Sequence, residues 1–257
     1  DLNRPESIRI DNERIFITEN ASIYIHQKNP HRLIKKFGKA GEGPREFKVN
    51  KRQLANLYLD VSTNQILVHS MGKASWFKKD GSFISERKFS VNPSLYNTRL
   101  FGDNYTGIFI SQNKERFRGI RVYDRNQKLL NEVVKNPDVF QYGKGMDIFK
   151  YSTAYDIDHD RMYLAWGVDF TIRVIDTKFK EIKTIIYPYK RVKVSERDRQ
   201  ITLESYKKDP TTRDYLNILK PFKFADYFPA IRSLFVNKGR LYVVTNKKEK
   251  ELTELLI

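Results

Sequence analysis

One pattern recurs five times along the 257 residues and constrains the fold more than any other feature of the chain: a short apolar strand, a polar turn, then a second, alternating strand. The copies are IRIDNERIFI (8–17), LYLDVSTNQILV (57–68), RLFGDNYTGIFI (99–110), AYDIDHDRMYLA (154–165) and SLFVNKGRLYVV (233–244). Their turns are rich in Asp, Asn and Gly, which tolerate hairpin geometry. The alternation within each copy fits a strand buried on at least one face. A second hairpin follows the first four copies: IYIHQKNPHRLIK (23–35), SWFKKDGSFIS (75–85), RVYDRNQKLLN (121–131) and RVIDTKFKEIK (173–183). Two hairpins in succession make a unit of four antiparallel strands.

Ile15, Ile66, Ile108 and Met162 are read as equivalent places in the second strand, 51, 42 and 54 residues apart, with Leu241 a further 79 residues on. One insertion, 189–220, explains the long last gap, and it is the clearly helical part of the chain. Ser195 with Asp198 makes a capping-box start, Pro210 ends that helix, and TRDYLNILK (212–220) makes a second short one before Pro221. Four-stranded units of ~40–50 residues are the blades of a β-propeller. The expected fold is therefore all-β, a single propeller domain over 1–257 with a helical insertion. Its blades run approximately 8–48, 55–90, 97–135, 152–187 and an incomplete 225–257.

The stretch FGKAGEGPREF (37–47) tests this reading, because clustered glycines also cradle phosphates. A phosphate loop places its glycines between a strand and a helix, as GxxxxGK[ST] or GxGxxG. Here the order is G-x-x-G-x-G-P, no Lys-Ser or Lys-Thr follows, and the sequence on both sides is strand-rich. The glycines allow turns with positive φ, Pro44 fixes the exit direction, and Phe37 and Phe47 anchor the two ends between blades. Phe37, Gly38, Gly41, Gly43, Pro44, Glu46 and Phe47 thus form a structural inter-blade motif.

That stretch is similar to the FGxxGxGPGEF signature of NHL-repeat propellers and of related six-bladed bacterial propellers of the secreted or lipoprotein type. Gly38, Gly41, Gly43, Pro44, Glu46 and Phe47 match, while Arg45 replaces the usual small residue. The segment FPAIRSLFVNKGRLYVVT (228–245) resembles a blade-opening stretch of the same group. The resemblance implies six blades, matching residues that are structural, and a periplasmic, cell-surface or secreted location, with any lipid anchor or outer-membrane attachment outside the given sequence. Four complete blades and a fifth that stops at ELTELLI fit a piece of a longer chain lacking roughly 60–80 residues at ~40–50 per blade. A five-bladed ring is the alternative.

Chemistry-bearing motifs are sparse. With no cysteine there is no disulfide, thiol nucleophile or thiolate metal site. His26, His31, His69 and His159 form neither HExxH nor H-x-H. The AYDIDHD cluster of Asp156, Asp158, His159 and Asp160 lacks the DxDxDG-x5-E frame of a calcium loop and reads as turn chemistry. Ser70 and Ser111 lie in nothing like GxSxG. Asn20-Ala21-Ser22 and Asn104-Tyr105-Thr106 are N-x-[ST] triplets of the kind that arise by chance. No catalytic residue, metal site or cofactor is expected, and an enzyme is the less favoured reading. No apolar run approaches the ~18 residues of a membrane span.

The formal charge of +17 attracts nucleic acid, anionic membrane or acidic polysaccharide. It is spread along the chain, so both a merely Lys-rich surface and a dedicated polyanion site remain open. The insertion combines charge with interleaved tyrosines. Tyr206, Tyr215, Tyr227, Arg197, Arg199, Lys207 and Lys208 are its candidate binding residues, since loops on rigid scaffolds carry function. The leading expectation is a non-catalytic scaffold that presents these loops to a protein, peptide or glycan. An RNA-binding module with a basic face is the alternative, because some NHL propellers bind single-stranded RNA. A propeller lyase or hydrolase is the weakest reading.

Overall fold

In a computed structural model of the chain, residues 2–3, 5–49, 57–62, 64–70, 72–88, 95–111, 115–249 and 252–257 are described. The expected blade limits at 55 and 90 fall outside them. The protein is all-β apart from short helices in one insertion. Its chain divides into two compact units, 1–110 with 118–135, and 111–117 with 136–257.

The first unit holds three four-stranded antiparallel meanders, the construction of propeller blades. The first comprises β1 (Ser7–Ile10), β2 (Arg14–Glu19), β3 (Ser22–Gln27) and β4 (Arg32–Phe37). A short parallel pair, β5 (Lys39–Ala40) and β6 (Glu46–Phe47), follows. The second meander is β7 (Tyr58–Val61), β8 (Gln65–Ser70), β9 (Lys73–Lys78) and β10 (Phe83–Lys88). The third is β11 (Tyr96–Phe101), β12 (Asn104–Ile110), β13 (Phe117–Tyr123) and β14 (Leu129–Pro137).

In the second unit, β15 (Phe140–Gln141) and β16 (Gly145–Ile148) precede a fourth meander of β17 (Ser152–Asp158), β18 (Arg161–Gly167), β19 (Thr171–Asp176) and β20 (Glu181–Ile186). Then come α1 (Glu196–Lys208), α2 (Pro210–Arg213), α3 (Leu216–Leu219) and β21 (Phe222–Phe224). A three-stranded sheet of β22 (Ile231–Asn237), β23 (Arg240–Glu249) and β24 (Leu252–Leu256) completes the described chain.

Alternation explains why the middle strands are apolar on both faces. Every residue of β8 is buried. Ile66 and Val68 join a core with Phe16, Ile23 and Ile25 of the first sheet. Leu67, on the opposite face, joins Leu100, Tyr105 and Phe109 of the third. β9 repeats this, with Phe77 facing one neighbour and Trp76 the other. A sheet packed on both sides needs no helices to cover it, and each large apolar side chain buried this way contributes ~1.5–3 kcal/mol. In the second unit, Ala165 and Ile172 of the fourth meander pack with Ile231, Leu234 and Val243 of the last sheet in the same manner.

All five first hairpins close around two-residue loops, with closing pairs Asp11/Arg14, Ser62/Gln65, Phe101/Asn104, Asp158/Arg161 and Asn237/Arg240. Gly102, His159, Lys238 and Gly239 take the positive φ that tight hairpin loops demand. This regularity corrects one register. The residue after the closing pair is Ile15, Ile66, Met162 and Leu241 as expected, but in the third sheet it is Tyr105, three positions before Ile108. A second regularity lies in the outermost strands. Bulges in β4, β10 and β20 leave Ile34, Ile84 and Ile182 unpaired, and all three are exposed.

Candidate binding surface

The glycine stretch is an inter-sheet latch. Gly38 adopts φ +87°, and a Cβ there would lie 2.6 Å from the Ala21 carbonyl oxygen and 2.7 Å from the Phe47 ring. Glu46 folds back so that its Oε2 accepts the Gly43 N–H at 2.9 Å, and a Cβ on Gly41 would collide with that carboxylate. This hydrogen bond, with Lys39 beside it, holds the Glu46 carboxyl below the usual range. Phe37 and Phe47 both pack on Phe77 of the second sheet, at 4.8 and 6.3 Å between ring centroids.

Lys73 closes the latch. Its buried ammonium donates to the carbonyls of Gly43 (3.0 Å) and Glu46 (2.6 Å) and to Glu86 Oε2 (3.2 Å). Nothing in the local sequence marks Lys73 for this role, because its acceptors lie 27 and 30 residues away. The loop's N–H and C=O groups are thus engaged by its own chain rather than turned toward an anion.

The Asp cluster of 156–160 does more than close its turn. Buried Asp156 accepts the Val236 N–H of β22 at 2.8 Å, and Asp158 accepts the Gly239 N–H at 2.8 Å, so both carboxylates bind the next sheet. Asp158 also meets His159 Nδ1 at 2.6 Å. Asp60, which sequence reasoning missed, holds the equivalent place in the second sheet. It accepts the Leu100 N–H at 2.7 Å and lies 3.5 Å from Arg9 and 2.9 Å from Arg99. Asp60 and Asp156 each stand two residues before the closing pair of their hairpin, and the N–H each accepts stands one residue before the next closing pair.

The histidines occupy different settings. His69 is fully buried in β8, and burial pushes its pKa down to about 4. His26 stacks on exposed His31, with centroids 5.1 Å apart and planes at 6°; burial and then the His31 charge lower its pKa. Among the described residues no three His, Asp or Glu side chains are grouped to hold a metal.

The insertion rests on a small sheet that the sequence does not announce. β21 pairs in parallel with β16, matching Met146 to Phe222 and Ile148 to Phe224. Gly145 permits this approach, since a Cβ there would sit 2.0 Å from the Pro221 carbonyl oxygen. The flanking chain zips to itself, Val194 N–H to Asp226 O and Phe228 N–H to Val192 O. Helix α1 begins with the expected capping box: Ser195 Oγ accepts the Asp198 N–H, and Asp198 Oδ2 accepts the Ser195 N–H. It ends at Lys208, and Pro210 opens α2 rather than a loop.

Two of the candidate residues turn inward onto this sheet. Tyr206 stacks on Phe222 at 6.1 Å, and the Arg199 guanidinium lies 5.7 Å from the Phe224 ring centroid. Phe224 continues into Phe149 and Phe228. The other candidates stay exposed: Tyr215, Arg197, Lys207, Lys208 (3.8 Å from Glu204) and Tyr227, whose ring lies under Arg191. Ile201 and Ile218 are exposed with them. Sequence reasoning passed over both, although Ile201 and Leu203 stand out in the strongly charged ERDRQITLESYKK and are themselves a signal.

No helix among the described residues is long and apolar enough to cross a membrane. No family model matches the chain, and no curated protein does. Solved structures do. A candidate exported protein of Bacteroides fragilis superposes over 99% of this chain and 71% of its own, with TM-score 0.55 and 15% identity. The Swd1 β-propeller domain of Myceliophteria thermophila matches 95% of this chain with TM-score 0.47 and 13% identity. BamB of Moraxella catarrhalis matches 93% with TM-score 0.46 and 11% identity. The chain spans 63% and 57% of the latter two. At these identities the likeness is one of fold. The chain is an all-β protein of the propeller class, built from four-stranded antiparallel blades with a helical insertion.

Proposed function

We propose that the protein is a non-catalytic binding scaffold that works outside the cytoplasm and presents its helical insertion to a partner. In this reading 1–257 belongs to one NHL-like propeller of the six-bladed type, and the five main sheets are successive blades. The exported neighbour supports the location. Three buried polar side chains that chemistry could have used, Asp60, Asp156 and Lys73, bridge sheets instead, which favours a binding role.

One observation carries the proposal. The insertion is anchored from beneath by Tyr206 on Phe222 and Arg199 on Phe224, while Ile201, Tyr215, Ile218 and Tyr227 remain in solvent. A segment held rigid by its inner face and lined with aliphatic and aromatic groups on the outer has the make-up of a contact surface for a protein or peptide. Such anchors each contribute ~2 kcal/mol or more when buried at an interface. Exposed Arg197, Lys207 and Lys208 supply a polar rim.

The test is cross-linking of the full-length protein in its source cells, followed by mass spectrometry. Cross-links to one partner should concentrate on Lys207, Lys208 and Lys220. The variant Tyr215→Ala/Ile218→Ser should reduce recovery of that partner at least tenfold without lowering the melting temperature. Equal recovery by the variant, or capture dominated by RNA and abolished by moderate salt, overturns the proposal.

A further inference from the structure

The outer edge of the first sheet departs from those of the second and fourth, and although β14 of the third also exposes an aliphatic pair, Leu129 and Leu130, acidic Asp124 and Glu132 flank that one. Each bulge in β4, β10 and β20 leaves one isoleucine unpaired. In β10 the residue before it, Phe83, packs on Phe77 at 5.7 Å. In β20 that residue is Glu181, bonded to Arg173 at 2.5 Å. In β4 it is Leu33, itself 51% exposed beside Ile34 at 44%. Because the bulge breaks the strand's alternation, two adjacent aliphatic side chains stand in solvent together.

Cations surround that pair. Residues 28–48 contain seven Lys and Arg and two Glu. Both glutamates are engaged, Glu46 with Lys39 and Glu42 with Lys48. Arg32 and Lys36 are exposed and Lys28 and Lys35 half-exposed; no carboxylate of this segment neutralises them, and Lys35 has an acid nearby in Asp80 of the next sheet. Beside Ile34 opens a cleft of about 470 Å³ whose wall includes Arg14, Gln27, Lys28 and Asn29, with Glu13 its one carboxylate among the described residues.

Lysines on an edge strand are an ordinary guard against strand pairing. That explains the cations but not Leu33 and Ile34, which work against the guard. Adjacent aliphatics set among cations match the boundary of an anionic bilayer, where acyl chains receive the former and lipid phosphates the latter. A nucleic acid would use the cations yet offer the aliphatics nothing, since its bases stack on aromatic rings. The rings at hand are engaged within the sheet: Tyr24 is covered by Lys36 at 5.0 Å, and His31 stacks on His26.

We propose that the outer edge of the first sheet is a membrane-docking surface. Leu33 and Ile34 enter the headgroup–acyl boundary of an anionic lipid layer, Lys28, Arg32, Lys35 and Lys36 pair with lipid phosphates, and the adjoining cleft receives one headgroup. This surface is separate from the helical insertion and does not depend on the partner proposed for it.

Co-sedimentation of the purified chain with vesicles tests the idea, comparing phosphatidylcholine alone with phosphatidylcholine containing about one third phosphatidylserine. The wild type should partition onto the anionic vesicles only. Leu33→Ser/Ile34→Ser should weaken that partitioning about tenfold, Lys35→Glu/Lys36→Glu should abolish it, and Ile84→Ser and Ile182→Ser should leave it unchanged. All these side chains except Lys35 are exposed, and thermal melts confirm that each variant is folded. Failure of the wild type to bind anionic vesicles, equal binding to neutral ones, or binding unchanged by Leu33→Ser/Ile34→Ser overturns the proposal.

Discussion

Acid should weaken this protein well before its carboxylates titrate, and His69 is the reason. The imidazole is fully buried in β8, opposite Ala74 of β9 and Tyr58 of β7. Burial lowers its pKa from 6.5 to about 4, while in the unfolded chain it titrates at its ordinary value. Between these values the unfolded state binds a proton that the folded state refuses. Stability is therefore full above the unfolded pKa and falls as pH drops toward the folded one. At pH 5 the proton linkage amounts to about 2 kcal/mol, a large part of the ~5–15 kcal/mol that holds a domain folded. The assay is urea denaturation at pH 7.5 and pH 5, with His69→Leu as the comparison. The wild type should lose about 2 kcal/mol across that interval and the variant much less. His26, lowered in the same direction, supplies the variant's residual slope. Equal losses in both proteins would refute the assignment.

Two further outcomes follow from the latch. Lys73→Met removes the donor that serves the Gly43 and Glu46 carbonyls and leaves Glu86 without its buried cation, so it should cost about 3 kcal/mol, read as a lower urea midpoint at unchanged slope; a loss under about 1 kcal/mol would mean the loop holds itself. Gly38→Ala should cost clearly more than Gly72→Ala, although both have positive φ (+87° and +71°), because a Cβ at Gly38 meets the Ala21 carbonyl and the Phe47 ring while Gly72 has nothing within 4 Å; equal losses would show that backbone conformation alone set the cost, ~1–2 kcal/mol.

What could be read from the sequence was what each blade repeats. Hairpin loops carry their own chemistry within four residues, and alternation needs only six, so both are local. The register of the third sheet was misread for a local reason too. In NYTGIFI the alternation runs through Gly107, which leaves no side chain to say which face it belongs to, and Tyr105 and Ile108 compete for one place. The small sheet under the insertion left no trace, because β16 and β21 are four and three residues long and their paired residues stand 76 positions apart. Lys73 was invisible for the same reason, since a lysine in a strand gives no hint of carbonyls waiting in another blade. The candidate tyrosines illustrate a further limit. Tyr206 and Tyr215 stand nine residues apart in one polar segment, yet one is stacked on Phe222 and the other faces solvent.

The position two residues before each hairpin's closing pair shows where the repeat stops being generic. Across the five sheets it holds Arg9, Asp60, Arg99, Asp156 and Phe235. In the first unit the three neighbours form a chain of alternating charge, with Asp60 between two guanidiniums and also holding the Leu100 N–H. In the second, Asp156 holds the Val236 N–H, and Phe235 beside it is exposed. A backbone N–H is present at this place in every blade, so a carboxylate here can join any blade to the next; only the first unit adds cations on both sides. A repeat can therefore specify how sheets join while leaving each unit its own electrostatics. By the same logic, features the repeat does not need, such as the solvent-facing isoleucines of the insertion and the Leu33–Ile34 pair of β4, cost the fold apolar exposure with no return in packing, and contact with another surface is what would offset that cost.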